Sequence, residues 1–513
     1  MTFGPQRIVC WLEGYGAGYA RANQLGLRAL GLVYFIAFAS FAVQADGLVG
    51  AHGILPFADW LGAIRPQVKA AGYHSVPTLL WLWPSDAALH ICLWAGMLCA
   101  ALLMAGFVPL LCAILLWALY LSVSIAGQVF WSFQWDILLL EAGLLAILAA
   151  PWRLRMRWRQ PDEPPRVAVF LFHLLVFKLI FLSGWVKLAS KDPVWANLTA
   201  LTYHYWTQPL PIWTAWFASK LPVWFQRFCC FVMFGIELAL PFAIWLGARL
   251  RAGAAVGIVL LMALIAATGN YTYFNLLTAV LCIWLVPDSL WNAGAGFLQR
   301  AAPRFVRARL PAPVAPTLRA AAPHARAIVW LPGAMIAMGS VVILCGALRI
   351  AVPWPVPVGR FMEAVAPLRS INGYGLFAAM TTSRPELIIE GSWDGERWFE
   401  YEFRWKPGDV SARPRLVAPH QPRLDWQMWF AALGGPPGPP WLHRFVYRLL
   451  LNEPAVLDLL AFNPFEQKPP RFIRVTRYQY RFASRLEREE NSLWWTRTHR
   501  DIFLPPTELN VHP

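Results

Sequence analysis

Charged residues are scarce in this sequence, and their scarcity excludes an ordinary soluble protein. Only 14% of the 513 residues are Asp, Glu, Lys or Arg, and 58% are hydrophobic. Soluble domains carry about 25% charged residues.

Cysteine is also sparse: the eight cysteines include no C-x-x-C pair, and none follows Cys345. Thiol chemistry and a disulfide scaffold are therefore unsupported, and we expect the cysteines to be small packing residues.

Common cofactor and metal motifs are missing as well. The ten histidines are scattered, without the H-x-x-x-H or H-E-x-x-H spacing of a zinc site. There is no P-loop, and the G-x-G-x-G pattern at 14–18 lacks the flanking strand and helix of a dinucleotide site. We therefore expect a flexible turn at 14–18, no metal and no cofactor.

A series of long apolar segments dominates the first 350 residues. A helix needs ~20 such residues to cross a bilayer. The segments are 27–45, 87–105, 107–126, 137–151, 167–186, 228–247, 252–268, 273–287 and 327–349. They predict a polytopic α-helical membrane domain of about nine transmembrane helices over residues 1–350. VQAD at 43–46 resembles a signal-peptide cleavage site, but the long region before it favours a retained first span.

Positive charge is concentrated between these spans. The net charge is +16. Arginine clusters in 152–166, 248–251 and 288–326, whereas the loops 46–86, 127–136 and 187–227 are nearly balanced. The positive-inside rule then places the N-terminus inside and the C-terminal part outside. Because this distribution explains the basic balance, we predict contact with membrane lipids and no nucleic-acid partner.

Residues 351–513 have a different pattern, which predicts an extracytoplasmic α+β domain, mostly β-sheet. An Ala-, Pro- and Arg-rich linker at 296–326 precedes the last span, and Pro-rich PWPVPVGR (353–360) follows it. The pattern within the domain predicts two β-rich regions and two short amphipathic helices. They are ELIIEGSWDGERWFEYEFRW (386–405) and RFIRVTRYQYRFAS (471–484), then DWQMWFAAL (425–433) and WLHRFVYRLLL (441–451).

The first β-rich region contains a turn signal. Asp394-Gly395 lies between two runs of strand-forming residues. This dipeptide is typical of a two-residue type I′ hairpin turn. We expect Trp393 and Trp398 on the flanking strands.

Several long motifs together resemble the lipase maturation factor family. They run in order from about Gly47 to about Phe482. In the helical part they are FQWDILLLEAGLLA (133–146), FLSGWVKLASKDPVW (181–195), LTALTYHYWTQPLP (198–211), IELALPF (236–242) and GNYTYFNLLT (269–278). In the C-terminal part they are SWDGERW (392–398), LDWQMWFAAL (424–433) and NPF with PPRFIRV (463–475). The resemblance implies an endoplasmic reticulum membrane protein that helps secreted lipases fold and assemble. Because Arg greatly outnumbers Lys, the composition also indicates a bacterial source, hence an inner-membrane location and a client that need not be a lipase.

A shorter stretch is similar to the membrane domain of the vitamin K-dependent γ-carboxylase family. It consists of SGWVKL followed by Asp-x-x-Trp, within 183–195. The similarity implies that Lys187 is a candidate catalytic base, with His204 as a candidate partner. This is the alternative to a maturation factor.

Ionisable residues inside apolar spans are costly and therefore informative. Asp136, Glu141, Lys178 and Glu237 form the predicted intramembrane charge network. They either neutralise one another or handle protons or substrate. Lys178 and Glu237 each lie nine residues from the outer end of a predicted span, at the same depth of ~13 Å. We therefore predict that they pair, with Glu141 as the competitor for Lys178.

The stretch LTALTYHYWTQPLPIW (198–213) is uncharged but polar and aromatic. Trp and Tyr favour the membrane interface, where the ring is in an apolar region and the polar tip is hydrated. We predict an interfacial lid or client-holding segment beneath the outer domain; an aromatic belt that only anchors the helices is the alternative. Its residues of interest are Tyr203, His204, Tyr205, Trp206, Gln208 and Pro209.

Two functions follow from these observations. The first is a non-enzymatic maturation factor, whose outer domain and aromatic segment hold an immature secreted client, possibly a lipase, at the membrane. The second is a membrane enzyme that uses Lys187 as a base. The missing cofactor motifs and the long outer domain favour the first.

The predicted topology can be tested with fusion reporters. Reporters fused after Arg159 should be cytoplasmic, because the loop 152–166 is strongly basic. Reporters fused after Asp192 and Gly408 should lie on the other side of the membrane. A cytoplasmic signal from the Gly408 fusion would contradict both the orientation and a role with secreted clients.

Overall fold

The computed structural model describes residues 18–301 and 323–509. Cys10, most of the predicted turn at 14–18 and the centre of the predicted linker at 296–326 lie outside these ranges. The described chain is helical up to residue 365 and mixes helices with strands beyond it. This agrees with the predicted helical membrane domain followed by an α+β region.

The helices of the first part are numbered in chain order. They are α1 Ala20–Ala42, α2 Ala45–Val49, α3 Phe57–Ala71, α4 Asp86–Ala105, α5 Pro109–Ala126, α6 Gln134–Ala149, α7 Arg166–Ala189, α8 Pro193–Ala196, α9 Ala200–Thr207, α10 Trp213–Ser219, α11 Val223–Phe234, α12 Ala248–Ala266, α13 Phe274–Leu281, α14 Asp288–Ala301, α15 Pro323–Ala347 and α16 Val356–Val365. A π-helical turn, Gly235–Ala239, and a 3₁₀ turn, Leu240–Trp245, continue α11.

Each predicted apolar span corresponds to a helical segment, but two are short. Seven helical segments in the described ranges are long and apolar enough to cross a membrane, or up to eight if the bent pair 274–285 and 288–294 counts as one. The prediction at 137–151 corresponds to α6, which has 16 residues and is largely buried. At 1.5 Å per residue α6 is ~24 Å long. A helix enclosed by other helices does not need full spanning length, so the short length of α6 does not exclude it as one of the predicted spans.

The connections also contain helices that the sequence interpretation missed. The amphipathic helix α3 lies in the predicted loop 46–86, while α9 and α10 lie within 187–227. Ordinary capping explains where some helices begin. Ser85 accepts a hydrogen bond from the Ala88 amide at the start of α4, as N-cap serines do.

The C-terminal part combines a four-stranded antiparallel sheet with helices. Its elements are β1 Arg384–Ser392, β2 Phe399–Glu400, β3 Glu402–Phe403, α17 Arg423–Leu433, α18 Pro440–Leu450, α19 Pro454–Leu457, β4 Leu460–Phe462, β5 Phe472–Phe482, α20 Arg485–Asn491 and β6 Trp495–Glu508. The sheet order is β2-β1-β5-β6, and β3 pairs with β4 separately. The predicted strands at β1 and β5 and the two predicted helices are confirmed.

Strand β6 had no sequence-based prediction. It has mixed charge and contains Pro505 and Pro506, which cannot donate to a sheet. Because β6 pairs only with β5, it lies at the sheet edge, where proline is tolerated. Pairing with β5 therefore determines the strand conformation of β6 more than its own residue pattern does.

The helical bundle and the C-terminal part share one apolar core. Trp135 of α6 packs edge-to-face on Trp426 of α17, with 4.8 Å between ring centroids. Phe130 makes a similar contact with Trp441 of α18 at 5.9 Å. These contacts fix the C-terminal part against one end of the bundle, which is called the domain-side end below.

The predicted two-residue turn at Asp394-Gly395 is wrong. Strands β1 and β2 do pair, with Glu390 opposite Glu400, but residues 393–398 connect them. Trp393 and Trp398 therefore lie in the connection. The Asp394 carboxylate accepts hydrogen bonds from the Glu396 and Arg397 amides, both at 2.9 Å. These bonds lower the pKa of Asp394 to about 2 and stabilise a wider turn than type I′.

Gly395 nevertheless has a left-handed backbone, with φ of +82°. An L-residue in this region is strained, so Gly395→Ala should lower the free energy of unfolding by ~1 kcal/mol. Gly408→Ala is the matched control, because a Cβ there meets nothing within 4 Å and its φ is not positive. Thermal unfolding of the purified full-length protein in detergent measures both; equal melting temperatures would contradict the role of Gly395.

Candidate functional site

Each residue of the predicted intramembrane charge network has an oppositely charged partner, and the pair of Glu237 with Lys187 is the first case. Its Nζ lies 3.0 and 2.8 Å from the two carboxylate oxygens of Glu237, and 2.9 Å from the Ser183 carbonyl oxygen. Both side chains are buried. An ammonium has three donors, and these contacts use all of them. The Lys187 ammonium is thus fully occupied by these three contacts, which leaves no free position on Nζ directed toward a substrate.

The sequence around Lys187 fits this close packing. Glu237 lies on the π-helical turn Gly235–Ala239 that interrupts the span begun by α11. Gly184, one turn before Lys187 on α7, faces this turn. A Cβ at Gly184 would lie 2.8 Å from the Glu237 Cβ and 2.9 Å from Leu238. Glycine at 184 therefore permits the approach that forms the ion pair.

Lys178 has a different partner from the one predicted. Its Nζ is 2.5 Å from Glu141 Oε1 of α6 and 3.2 Å from Ser340 Oγ of α15. The predicted Lys178–Glu237 pair is wrong, and the competitor Glu141 is the actual partner. Lys178 and Lys187 are nine residues apart, which is ~2.5 helical turns, so they face opposite sides of α7. Depth alone could not distinguish these two directions.

The C-terminal part completes the Glu141 site. Glu141 Oε2 accepts hydrogen bonds from the Tyr374 hydroxyl at 2.6 Å and from the Asn372 amide at 3.0 Å. Burial and the neighbouring Glu141 carboxylate raise the pKa of Tyr374 well above its usual value. The phenol therefore remains a donor, and the carboxylate is fully satisfied.

Asp136 forms the third buried pair, with Arg423 of α17. Arg423 donates to both carboxylate oxygens, at 2.9 and 3.0 Å. The hydroxyls of Tyr120 and Tyr273 donate to Asp136 Oδ1 at 2.8 and 2.7 Å. The guanidinium carbon lies 3.9 Å from the ring centroid of Trp131. Sequence reasoning had selected Asp136 but had no signal for a partner so distant in the chain.

The aromatic stretch 198–213 lies beneath the C-terminal part. Helix α9 ends at Thr207, where its last carbonyl groups lack helical partners. Arg384 of β1 donates to the carbonyls of Trp206 at 2.8 Å and Pro209 at 2.9 Å, and also to that of Gln208. Trp429 Nε1 donates to the Thr207 carbonyl at 3.0 Å. One buried arginine and one tryptophan thus cap this helix end.

His204 belongs to a neutral hydrogen-bond chain. Tyr271 donates to Gln208 Oε1 at 3.0 Å, and His204 Nε2 lies 3.0 Å from the same hydroxyl. Because that hydroxyl has one proton, His204 Nε2 is the donor in this bond. Burial and nearby Lys187 lower the pKa of His204 to about 4. The imidazole is therefore neutral near pH 7.

The other predicted residues of this stretch lie at different depths. Gln208 and Pro209 are buried. Tyr203 packs in a cluster with Trp195, and Tyr205 and Trp206 border a second cluster around Trp216. The stretch is covered by the C-terminal part, and its role as a lid or client-holding segment stays a prediction.

An apolar groove of about 590 Å³ opens between the bundle and the C-terminal part. No sequence pattern identified it. Its walls come from both parts, and most of its lining is apolar. The lining includes Leu55, Val129, Gln427, Phe430, Ala431, Gly434, Gly435, Gly438, Pro439, Pro440 and Trp441. Phe430 is 47% exposed, so it is the large side chain most available to a partner.

Comparison with known proteins gives concordant matches for both parts of the chain. Residues 21–293 match the lipase maturation factor transmembrane domain, and residues 370–505 match the lipase maturation factor C-terminal domain. The chain is 36% identical to lipase maturation factor 2 of Gallus gallus, over 95% of this chain and 82% of the relative. It is 36% identical to lipase maturation factor 2 of Homo sapiens, over 96% and 83% of the two chains. It is 33% identical to lipase maturation factor 1 of Bos taurus, over 94% and 88%. No solved structure matches significantly.

A double-mutant cycle distinguishes the observed ion pairs from the predicted one. Lys178→Met and Glu141→Gln should each cost ~3 kcal/mol of stability, because each leaves an unpaired buried charge. The double variant should cost much less than their sum. Melting temperatures of the detergent-solubilised protein provide the measurement.

The crossed pair is the control for this cycle. Lys178→Met combined with Glu237→Gln should be at least as destabilising as the two single changes added together, since these residues do not touch. If the stability costs of the Lys178 and Glu141 changes were additive, the ion pair at 2.5 Å would have no measurable interaction energy.

Proposed function

The chain belongs to the lipase maturation factor family, and from this premise we propose that it is a membrane-bound maturation factor for a secreted lipase. In this proposal the protein holds the immature client at the domain-side end of its helical bundle. Binding and release, rather than chemistry on the client, are its activity.

The apolar groove carries this proposal. Immature proteins expose apolar segments that their native folds bury. The groove offers an apolar surface to such a segment, and its exposed Phe430 provides an aromatic anchor. Aromatic side chains in apolar pockets supply much of the affinity of protein interfaces. The groove therefore suits a chain segment without fixed polar partners.

The aromatic stretch would support this groove from below. Trp429, next to Phe430 on α17, donates its indole N–H to the Thr207 carbonyl of α9. The helix that presents Phe430 is thus fixed to the segment 198–213. We propose that Tyr203, His204, Tyr205, Trp206, Gln208 and Pro209 serve as a shelf for the client-binding helix.

The alternative enzyme has less support from the geometry. Lys187 donates to both Glu237 oxygens and to the Ser183 carbonyl. Use as a base would require breaking this pair and leaving Glu237 buried without its cation, which is unfavourable. We assign Lys187, Glu237, Lys178, Glu141 and Asp136 to structural charge neutralisation.

The protein is integral to the membrane, and its compartment belongs to the proposal. The Arg-rich, Lys-poor composition favours a bacterial inner membrane, whereas the family resemblance implies the endoplasmic reticulum membrane. In both cases the charge distribution directs the C-terminal part away from the cytoplasm. A client would meet the groove there after translocation.

Site-specific crosslinking tests the client surface. p-Benzoyl-phenylalanine at position 430 should crosslink a co-expressed secreted lipase before the lipase becomes active. The same probe at position 447 on α18 is the control, because Tyr447 is similarly exposed at 48% but does not line the groove. Equal crosslinking at both positions would reject the groove.

A functional variant complements the crosslink. Phe430→Asp should weaken client capture by about tenfold, as loss of an aromatic anchor does. Tyr447→Asp should leave capture unchanged. The yield of active lipase and the melting temperature of each variant are measured together. Full lipase maturation with folded Phe430→Asp would contradict the proposal.

A further inference from the structure

A second exposed apolar surface lies at the domain-side end, away from the groove. On α11, Trp224, Phe228 and Phe231 are 69%, 55% and 64% exposed. Their spacing of four and three residues places them on one face of the helix. Because α11 is the first part of a candidate membrane span, this exposed face would be directed toward lipid. The same exposed surface continues before the span through Leu221 and Phe217, each more than 40% exposed.

Cationic side chains lie over the aromatic rings of this surface just before the span begins. The Arg488 guanidinium of α20 is 4.3 Å from the Trp216 ring centroid and 3.9 Å from that of Trp494. Lys220 lies 5.2 Å from Trp216 on α10. Such contacts hold cations at fixed positions beside an apolar surface.

Helix α20 brings further residues of the C-terminal part to the same place. Arg485 and Leu486 are exposed, Leu486 at 62%. An exposed leucine beside exposed cations is typical of an interfacial helix. A capping box between Ser484 and Glu487 fixes the start of α20, so these side chains project from a formed helical turn.

Three cations of this surface lack an ion-pair partner within the described part of the chain. Arg481 pairs with Glu487 at 2.7 Å. Lys220, Arg485 and Arg488 have no carboxylate within ion-pair distance there, although Glu489 and Glu490 lie on the same helix. Burial and the nearby Arg481 and Arg485 charges lower the pKa of Lys220. An anion at this position would relieve that repulsion.

We propose that Lys220, Arg485 and Arg488, together with the exposed Phe217 and Leu486, bind the headgroups of anionic phospholipids. Lipid is the occupant because the surface is continuous with the lipid-facing side of α11. Phosphodiester oxygens accept hydrogen bonds from guanidinium and ammonium groups, and the apolar side chains enter the acyl boundary. The surface thereby docks α20, and with it one edge of the C-terminal part, on the bilayer. This site is independent of the client groove.

Lipid retention by the full-length protein tests the surface. The protein is reconstituted in nanodiscs of equimolar phosphatidylcholine and phosphatidylglycerol, and native mass spectrometry counts the lipids that stay bound. The Lys220→Gln/Arg485→Gln/Arg488→Gln variant should retain less phosphatidylglycerol than the unchanged protein. The loss should be at least about fivefold, which is the contribution of a single cation near an anionic surface. Phosphatidylcholine retention should not change.

A matched control removes equal charge elsewhere. Lys468→Gln/Arg444→Gln/Arg500→Gln alters one Lys and two Arg that are exposed elsewhere, in the β4–β5 connection, on α18 and on β6. It should retain phosphatidylglycerol like the unchanged protein. If the first triple variant does not fold, Arg485→Gln/Leu486→Gln changes only exposed residues and should still lower retention.

Three outcomes would overturn the proposal. Equal phosphatidylglycerol retention by the folded triple variant and its control excludes the site. A loss of both lipids together indicates a general structural effect. Unchanged lipid retention with weaker lipase crosslinking at position 430 would assign the cations to an acidic protein partner instead.

Discussion

A carboxylate buried in the helical bundle requires a cation and hydrogen-bond donors, and at Asp136 the C-terminal part provides the cation. Arg423 makes two hydrogen bonds to Asp136, while Tyr120 and Tyr273 provide further donors. Without Arg423 the bundle would contain an uncompensated charge, at a cost of several kcal/mol. The position of α17 is therefore coupled to the stability of the bundle. The apolar groove depends on this coupling, because α17 forms one of its walls.

The same dependence recurs at other contacts between the two parts. Glu141 obtains its cation from Lys178 within the bundle but two of its donors from Tyr374 and Asn372. The last carbonyls of α9 are capped by Arg384. Within the described ranges, each part contains buried polar groups that form hydrogen bonds with the other part. Unsatisfied buried polar groups are costly. Separation of the two parts would therefore remove the hydrogen-bond partners of buried polar groups at several places at once.

Much of the fold could be predicted from sequence, because apolar length and strand alternation are local properties. They located the spans and the strands β1 and β5.

The pairing of the buried charges was harder to predict. Equal depth suggested that Lys178 pairs with Glu237, but the helical phase directs Lys178 to Glu141 and Lys187 to Glu237. The turn at Asp394 failed for a similar reason. A side-chain carboxylate that accepts two amide hydrogen bonds overrides a dipeptide preference. The family resemblance identified the role of a maturation factor, but it gave no indication of the apolar groove.

In the proposed function, the client-binding groove requires that the two parts of the chain be held together. Its walls combine Leu55 and Val129 with Phe430 and Trp441, and the Arg423–Asp136 ion pair and the Phe130–Trp441 ring contact hold these walls together. A preformed apolar surface loses little conformational entropy when a client binds. The affinity for a client then depends on the apolar surface that the client still exposes. In the proposed function, folding of the client buries that surface and lowers the affinity, so the client's own folding would provide the signal for release.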